Sequence, residues 1–422
     1  MREAIIWKSR TAAVSWYINR NFAALWAAQA ISAMGDRITR TAIPMLAILT
    51  IDAAPYQIAI LSAVSFAPGL LVSLFLGAWI DRSAKRPILI GSDLARAALL
   101  LTVPLAAHLG LMSMAQLYIV AGLVGAFSTL FGIVDNTFLP AVVGRDTLVE
   151  ANARLEATEA VAEGAGPWLG GVLVATIGAP LALVLDALSY LWSAVVLRRV
   201  NVTDVGAAEA ADSRAIEGAG EGFRLAWQDQ IVRRLLIAEA LFGLGGGVFF
   251  ALYMVVTLDS LGLGPGIVGF IIGVGGAGAA LGAAVAPYLS RRLGVGLALF
   301  VAFALGKLFD VLVPLSLVFP DIAVILLITA QLLGDGFIVI FLVLAMSLRQ
   351  QRIPDSVLGR VNATFHFCEG GALVIGALTA GALTLFLPVS VVIWGSVVLS
   401  AAAIPVLWGL RSFETPAKSG SG

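Results

Sequence analysis

The stretch VGRDTLVEANA, Val143 to Ala153, returns 210 residues later as IPDSVLGRVNA, Ile353 to Ala363. In that register Leu148 falls on Leu358, Asn152 on Asn362 and, just beyond, Glu159 on Glu369. The matched residues are polar ones in corresponding connections, where a biased apolar composition does not create matches by itself. Weak similarity between two halves of an apolar chain is the mark of a transporter built around a pseudo-twofold axis. The repeat therefore predicts two related bundles.

On both sides of each copy the chain is apolar. Its 422 residues are 60% hydrophobic and 12% charged, where a soluble domain is about half apolar and about a quarter charged. A bilayer crossing needs about 20 apolar residues, and such runs occur near 21–51, 57–80, 88–108, 114–139, 155–177, 180–198, 234–258, 265–289, 294–317, 322–347, 363–386 and 389–410. The expectation is an all-α polytopic membrane protein with twelve transmembrane helices in two pseudo-symmetric six-helix bundles. Its parts are a cytoplasmic N-terminal segment (1–20), an N-terminal bundle (21–198), a polar cytoplasmic linker (199–233), a C-terminal bundle (234–410) and a cytoplasmic tail (411–422).

With the N-terminus inside, 22 of the 26 Lys and Arg fall on the inner side and none in the outer loops; Arg37, Arg40, Arg96 and Lys307 lie within spans. So one-sided a distribution predicts a plasma (inner) membrane protein with both termini cytoplasmic. The Met-Arg start is not followed by a short apolar core with a small-residue cleavage site, so no removable signal peptide is expected. Acidic and basic residues cancel at 26 each, which implies no bulk attraction to nucleic acid. One cysteine, Cys368, and two histidines, His108 and His366, are too few for a disulfide framework or a Cys/His metal site, and no metal or cofactor is expected.

Two motifs narrow the class. Gly77-Ala-Trp-Ile-Asp81-Arg82-Ser-Ala-Lys85-Arg86, between spans two and three, sets an acidic-basic pair and a basic pair at helix ends, a conformational latch whose cations reach neighbouring helix C-termini; the same cations also serve as topology anchors. In span five, Gly166-Pro167-Trp-Leu-Gly170-Gly171 combines small residues that allow close helix contact with a proline that frees a carbonyl, and so permits bending against a neighbour. The loop resembles the major facilitator superfamily signature, with Ala84 in place of the usual glycine. The span-five motif resembles the core of the antiporter signature, with Ala162 where an upstream glycine is usual. With Gly35-Asp36-Arg37 in span one, the whole chain resembles major facilitator exporters of the macrolide efflux and enterobactin exporter group. Span four, Ala121 to Phe138, lacks the arginine that drug-proton antiporters of the superfamily often carry there.

Ionisable residues inside a membrane need a partner, a cavity or a role, because each costs about 3 kcal/mol at the bilayer centre on insertion scales. Asp36, Arg37 and Arg40 sit in span one, where helical spacing puts Asp36 and Arg40 on one face and offers a simple Asp36–Arg40 pair. The resemblance implies that spans one, four, seven and ten line a central cavity. Asp36 and Asp335 are accordingly the leading proton-coupling candidates, with Glu159 and Glu369 at repeat-related positions as the second pair, either as a gate or neutralised by Arg145, Arg154 or Arg360. Arg37, Arg40, Phe242, Phe249, Tyr253, Met254 and Phe337 are candidates for the substrate cavity. Asp93 with Arg96 and Lys307 with Asp310, each three apart, read as local ion pairs, Glu239 as a partner of Arg233 or Arg234, and Asp135 as a neighbour of Arg82.

The expected function is a secondary active exporter that moves an apolar or amphiphilic organic compound by alternating access, as a proton antiporter and as a monomer. A lipid flippase of the same fold is the alternative. An enzyme is disfavoured, since no nucleophile motif or clustered ligand set is present.

Overall fold

The computed structural model describes residues 20–75, 79–80, 83–144, 147–200 and 215–411, which are helical apart from short connections. Six long helices form the first half: α1 (Arg20–Ile51), α2 (Pro55–Phe75), α3 (Lys85–His108), α4 (Met114–Val143), α5 (Leu148–Ile177) and α6 (Ala179–Leu197). A shorter helix, α7 (Ala215–Gln228), occupies part of the polar segment read as linker. Six more follow: α8 (Gln230–Ser260), α9 (Pro265–Leu293), α10 (Val295–Val318), α11 (Pro320–Arg352), α12 (Asp355–Leu383) and α13 (Val389–Trp408). Eleven of the helices are long and apolar enough to cross a membrane; α1, at 32 residues, is long enough but carries Asp36, Arg37 and Arg40.

Local chemistry sets the boundaries. Ser113 accepts the Gln116 N–H at 3.3 Å and starts α4. Asp229 accepts the N–H groups of Ile231 and Val232 at 2.9 and 3.0 Å and starts α8. Such caps satisfy amides that have no carbonyl within the first turn. Gly178 alone joins α5 to α6 and Gly294 alone joins α9 to α10, at φ of 84° and 78°; a side chain strains that left-handed backbone, so glycine is what permits a one-residue reversal.

The cores show how the halves meet. At the end of the bundle that holds the α1–α2 connection, one buried cluster joins Ile38, Leu46, Ile58 and Tyr190 to Val255, Leu258 and Val268, and a second joins Ala59 and Ala63 of α2 to Val248, Ile271 and Ala377. At the opposite end, the end of Arg20, the clusters are separate: Phe22, Leu89, Val134 and Phe138 pack within the first half, and Leu235, Leu299, Phe341 and Phe365 within the second. The halves thus share an apolar core at one end only.

Two helix crossings carry that shared end, α5 on α9 and α2 on α12. A methyl added to Gly171 of α5 would lie 2.8 Å from the Gly269 Cα of α9, and one on Gly276 would lie 2.9 Å from the Gly164 nitrogen. Backbones this close exclude any side chain, and they gain contact that lipid tails cannot match. In the second crossing Gly370 faces Leu70, and Gly381 faces Ala59 and Tyr56.

At the Arg20 end the elements are tied by charge. Of the latch residues, Gly77, Asp81 and Arg82 lie outside the described residues. Lys85 donates to the Ile80 carbonyl, and Arg86 donates to the Leu197 carbonyl at 2.9 Å and to that of Arg198, a cation on the negative end of α6. In the second half, α7 packs Gly222 against the Arg360 carbonyl and buries Ala226, while Glu221 pairs with Arg360 of α12. Arg352, at the end of α11, donates to Asp229 at 2.7 Å. Burial alone would raise the Asp229 carboxyl, but the N–H groups of Val232, Arg352 and Ile231 outweigh it and hold the group below its usual 3.8.

Two outcomes are expected from these contacts. Gly171→Leu forces α5 from α9 and destabilises the detergent-solubilised protein by about 1–3 kcal/mol, whereas Gly91→Ala, with nothing within 4 Å of the added methyl, leaves the thermal midpoint unchanged. For Asp229, a depressed value means stability present above the ordinary aspartate range and lost as pH falls through the folded-state value. The midpoint deficit of Asp229→Asn at neutral pH therefore narrows as the melt is repeated below about pH 4.

Candidate functional site

In the first half, four helices converge on one buried cation. Arg96 of α3 is 1% exposed, pairs with Asp93 one turn away, and donates to Ser128 of α4 at 3.2 Å. Its guanidinium lies between aromatic faces, 4.1 Å from the Tyr190 ring centroid and 4.7 Å from that of Phe131, contacts that favour a weakly hydrated planar cation in a dry site. Asp36 of α1 stands 3.8 Å from Arg96 and accepts from the Tyr190 hydroxyl. Beside it, Asp186 of α6 accepts from Thr39 of α1 and, at 2.9 Å, from Ser189. Gly35 makes this possible, because any Cβ there would collide with the Asp186 carboxyl.

The second group on α1 faces α5. Arg37 donates to Glu163 at 2.7 Å and to Glu159 at 3.2 Å, and both glutamates are more than half exposed. Gly166 brings α5 against the Arg37 stem, where an added methyl would lie 3.0 Å from Cγ, and Gly170 sits against Ile38 and Thr41. The four motif residues therefore divide their work. Gly166 and Gly170 seat α5 on α1, Gly171 seats it on α9, and Pro167 lies within the unbroken helix, its carbonyl directed at Gly269.

The second half holds its own buried cation. Lys307 of α10, 4% exposed, donates to Asp310 at 2.5 Å and lies 4.7 Å from the Phe242 ring centroid. Asp335 follows a π-helical turn, Ala330–Gly334, and its carboxyl lies where a side chain on Gly275 of α9 would otherwise be. Such turns widen a helix by one residue and recur at functional positions. Phe337 stacks on Phe309 at 5.9 Å, Phe249 on Tyr253 at 5.1 Å, Tyr253 is buried, and Met254 packs against the cluster shared by both halves. Glu369 lies where α12 crosses Gly243 of α8.

Several partners differ from those suggested by spacing along the chain. Asp36 turns to Tyr190 and Arg96, not to Arg40, which is exposed. Glu159 is held by Arg37, and Arg154 instead takes Glu150 at 2.7 Å. Glu239 pairs with Arg349 of α11 at 3.4 Å, not with Arg233 or Arg234, and Arg349 lies 4.0 Å from the Phe365 ring. Asp135 accepts from Gln29 at 2.5 Å; Arg82, the neighbour expected for it, and Arg145, an expected partner of the glutamates, lie outside the described residues. Asp93–Arg96 and Lys307–Asp310 do pair locally. Sequence reasoning missed Asp186, Tyr190 and Arg349. For Asp186 the signal was present, since a carboxyl in the middle of an apolar span is a functional candidate by default.

Among the described residues no three His, Cys, Asp or Glu are arranged to hold a metal ion.

A family model described as transmembrane secretion effector matches residues 11–421. The chain is 29% identical over 271 residues to the multidrug efflux pump Tap of Mycolicibacterium fortuitum, a match spanning 61% of this chain and 65%, just under two thirds, of that pump. It is 25% identical over 366 residues to the multidrug efflux pump Tap of Mycobacterium tuberculosis, 84% of each chain. Among solved structures, a bacterial homologue of the iron transporter ferroportin superposes with a TM-score of 0.76 in its inward-facing state, at 18% identity over 93% of this chain and 99% of that one. Its outward-facing state gives 0.57, at 19% identity over 94% and 100%.

Removing the first-half cation tests how the network is held. Arg96→Met keeps the volume and leaves Asp93 buried without its cation, a change expected to cost about 3–5 kcal/mol. Adding Asp93→Leu recovers part of that loss in the same thermal melt, because the buried carboxyl is then removed and only the part-exposed Asp36 has lost its cation.

Proposed function

The chain belongs to the transmembrane secretion effector family and has the major facilitator fold, and on that premise we propose that it is a secondary active exporter of amphiphilic organic compounds, driven by proton antiport. Its relatives are transporters, not enzymes. The halves, 21–198 and 234–410, rock against one another in a plasma membrane with both termini cytoplasmic, and a single chain suffices because it contains both halves.

The observation that carries this reading is the uneven meeting of the halves. They share buried clusters at one end and keep separate ones at the end of Arg20, which is the form of a two-bundle transporter caught on one side of its cycle. The higher TM-score to the inward-facing neighbour agrees with it. Between the halves lie Arg37, Glu159 and Glu163 from the first and Asp335 from the second, with more carboxyls than cations, a lining that favours lipophilic cations.

Proton coupling requires that substrate and proton favour different protonation states of one site. Asp36 fits, being partly exposed, bonded to α6 and adjacent to a buried cation. Asp335 is the second-half counterpart, next to Lys307 and Asp310, and Glu159 and Glu369 are gate candidates at the inner ends of α5 and α12.

The test is ethidium addition to everted vesicles with an acid interior. Proton release by wild type, absent in Asp36→Asn, is the expected result. Ethidium movement with no pH response overturns antiport and favours a facilitator; movement of lysophospholipid in place of ethidium favours a flippase.

A further inference from the structure

We infer that Asp186 is a proton-binding residue of the first half, that it holds its proton in this arrangement, and that it shares that proton with Asp36 across the seam between α1 and α6. The inference rests on the antiport reading above and assigns that coupling to a residue outside the central lining.

The argument begins with charge balance. The interior of the first half holds four carboxyls, the buried Asp93 and Asp186 and the part-buried Asp36 and Asp135, and one buried cation, Arg96; Asp135 is answered by Gln29. Arg96 is committed: it pairs with Asp93 and stands 3.8 Å from Asp36. Asp186 is 0% exposed, and among the described residues it has no cation within ion-pair distance. An ionised, unpaired carboxylate in a dry interior is strongly disfavoured, and such a group takes up a proton instead.

The neighbours from each packed helix agree. From α1, Asp186 faces Asp36, a like charge that opposes its ionisation; from α3 it faces Arg96, already shared. The third packed helix, α5, directs Glu159 and Glu163 to Arg37. On α6 itself, Tyr190 gives its hydroxyl to Asp36.

The immediate surroundings suit a group that gains and loses a proton. Both partners of the Asp186 carboxyl are hydroxyls, Thr39 and Ser189. A hydroxyl donates or accepts as required, so the same contacts serve the acid and the carboxylate. The lysine or arginine of a structural ion pair would instead fix the charged form. The bare Cα of Gly35 lets the acid rest against the α1 backbone, which accounts for the glycine of the Gly35-Asp36 motif.

The seam has two rungs, Asp36 to Tyr190 and Thr39 to Asp186. They join residues three apart on α1 to residues four apart on α6, so displacement of α1 along α6 strains both together. Both carboxyls thus sit in one hydrogen-bonded seam, Asp36 through Tyr190 and Asp186 through Thr39. Loss of the Arg96 contact by Asp36, or arrival of a cationic substrate near it, changes which of them keeps the proton.

The test uses the full-length protein in vesicles, with three readouts. Infrared difference spectra at neutral pH are expected to show the carbonyl band of a buried carboxylic acid in wild type and in Asp36→Asn, and to lose it in Asp186→Asn. Ethidium counterflow without a proton gradient is expected to persist in Asp186→Asn, while gradient-driven efflux falls at least about tenfold, the signature of lost coupling with binding intact. Thr39→Val, which keeps the acid and removes one hydroxyl, is expected to shift the band, and it carries the test if Asp186→Asn does not fold. A band that survives Asp186→Asn, a band unmoved in Thr39→Val, or gradient-driven efflux with an unchanged pH profile in Asp186→Asn overturns the inference. If wild type moves ethidium with no pH response, antiport fails, while the infrared readout still decides whether Asp186 carries a proton.

Discussion

A charge inside hydrocarbon must be answered by another charge, a hydrogen bond or a proton, and the arrangement of this bundle follows from how each is answered. Arg96 is the clearest case. It is held by Asp93 on its own helix, Ser128 and Phe131 of α4, Tyr190 of α6 and, at longer range, Asp36 of α1. Interhelical apolar contact gains little where lipid is equally apolar, so one guanidinium with partners on four helices specifies their register in a way that leucine packing does not. The first half is built around that register, and its helices place Asp36 and Asp186 within it.

Small residues answer the complementary problem of how two rigid halves meet without locking. The α5–α9 crossing is backbone against backbone through Gly164, Gly171, Gly269 and Gly276. Side chains flank it, as Trp168 does at Gly273, but at these four positions none stands between the backbones. Gly166 and Gly170, on the other side of α5, hold it to α1 through Arg37 and Thr41, so α5 transmits movement between the seam of the halves and the helix that carries Asp36. Pro167 lies between these two contacts, its missing N–H leaving the Glu163 carbonyl without its helical partner. The motif that suggested a bend thus coincides with a helix that touches both the other half and the ionisable network.

How much of this was legible in the sequence depends on the range of each interaction. Twelve spans followed from run length, and the limits of α1, near 21–51, agree with Arg20–Ile51 even though three charges interrupt its apolarity. The pairs Asp93–Arg96 and Lys307–Asp310 were legible because helical spacing alone brings residues three apart together. The partner of Asp36, Tyr190, lies 154 positions away, and the partner of Arg37, Glu159, lies 122 away. Those pairings depend on where two helices cross and how each is rotated, which periodicity within one helix does not determine. The shift of Glu239 from Arg233 and Arg234 to Arg349 has the same origin: the adjacent arginines are near in sequence, but the α8 face that carries Glu239 is turned toward α11. A helix in the linker was hidden because its stability comes from packing on α12, through Gly222, Ala226 and Glu221, and not from an apolar run.

The two halves solve the same electrostatic problem with different cations, and the difference bears on how each takes part in transport. Arg96 is delocalised, sandwiched between rings and charged throughout any accessible pH range, so the variable charge of the first half lies in its carboxyls. Lys307 has one short bond to Asp310 and an aromatic face beneath it, a compact ammonium where the first half has a delocalised guanidinium. Asp335 stands beside that pair and next to a π-helical turn. The first half thus ties four helices through one ring-sandwiched guanidinium, while the second divides the task between Lys307 with Asp310 on one helix and Arg349 with Glu239 between two, so the pseudo-symmetric bundles fix their registers by different means.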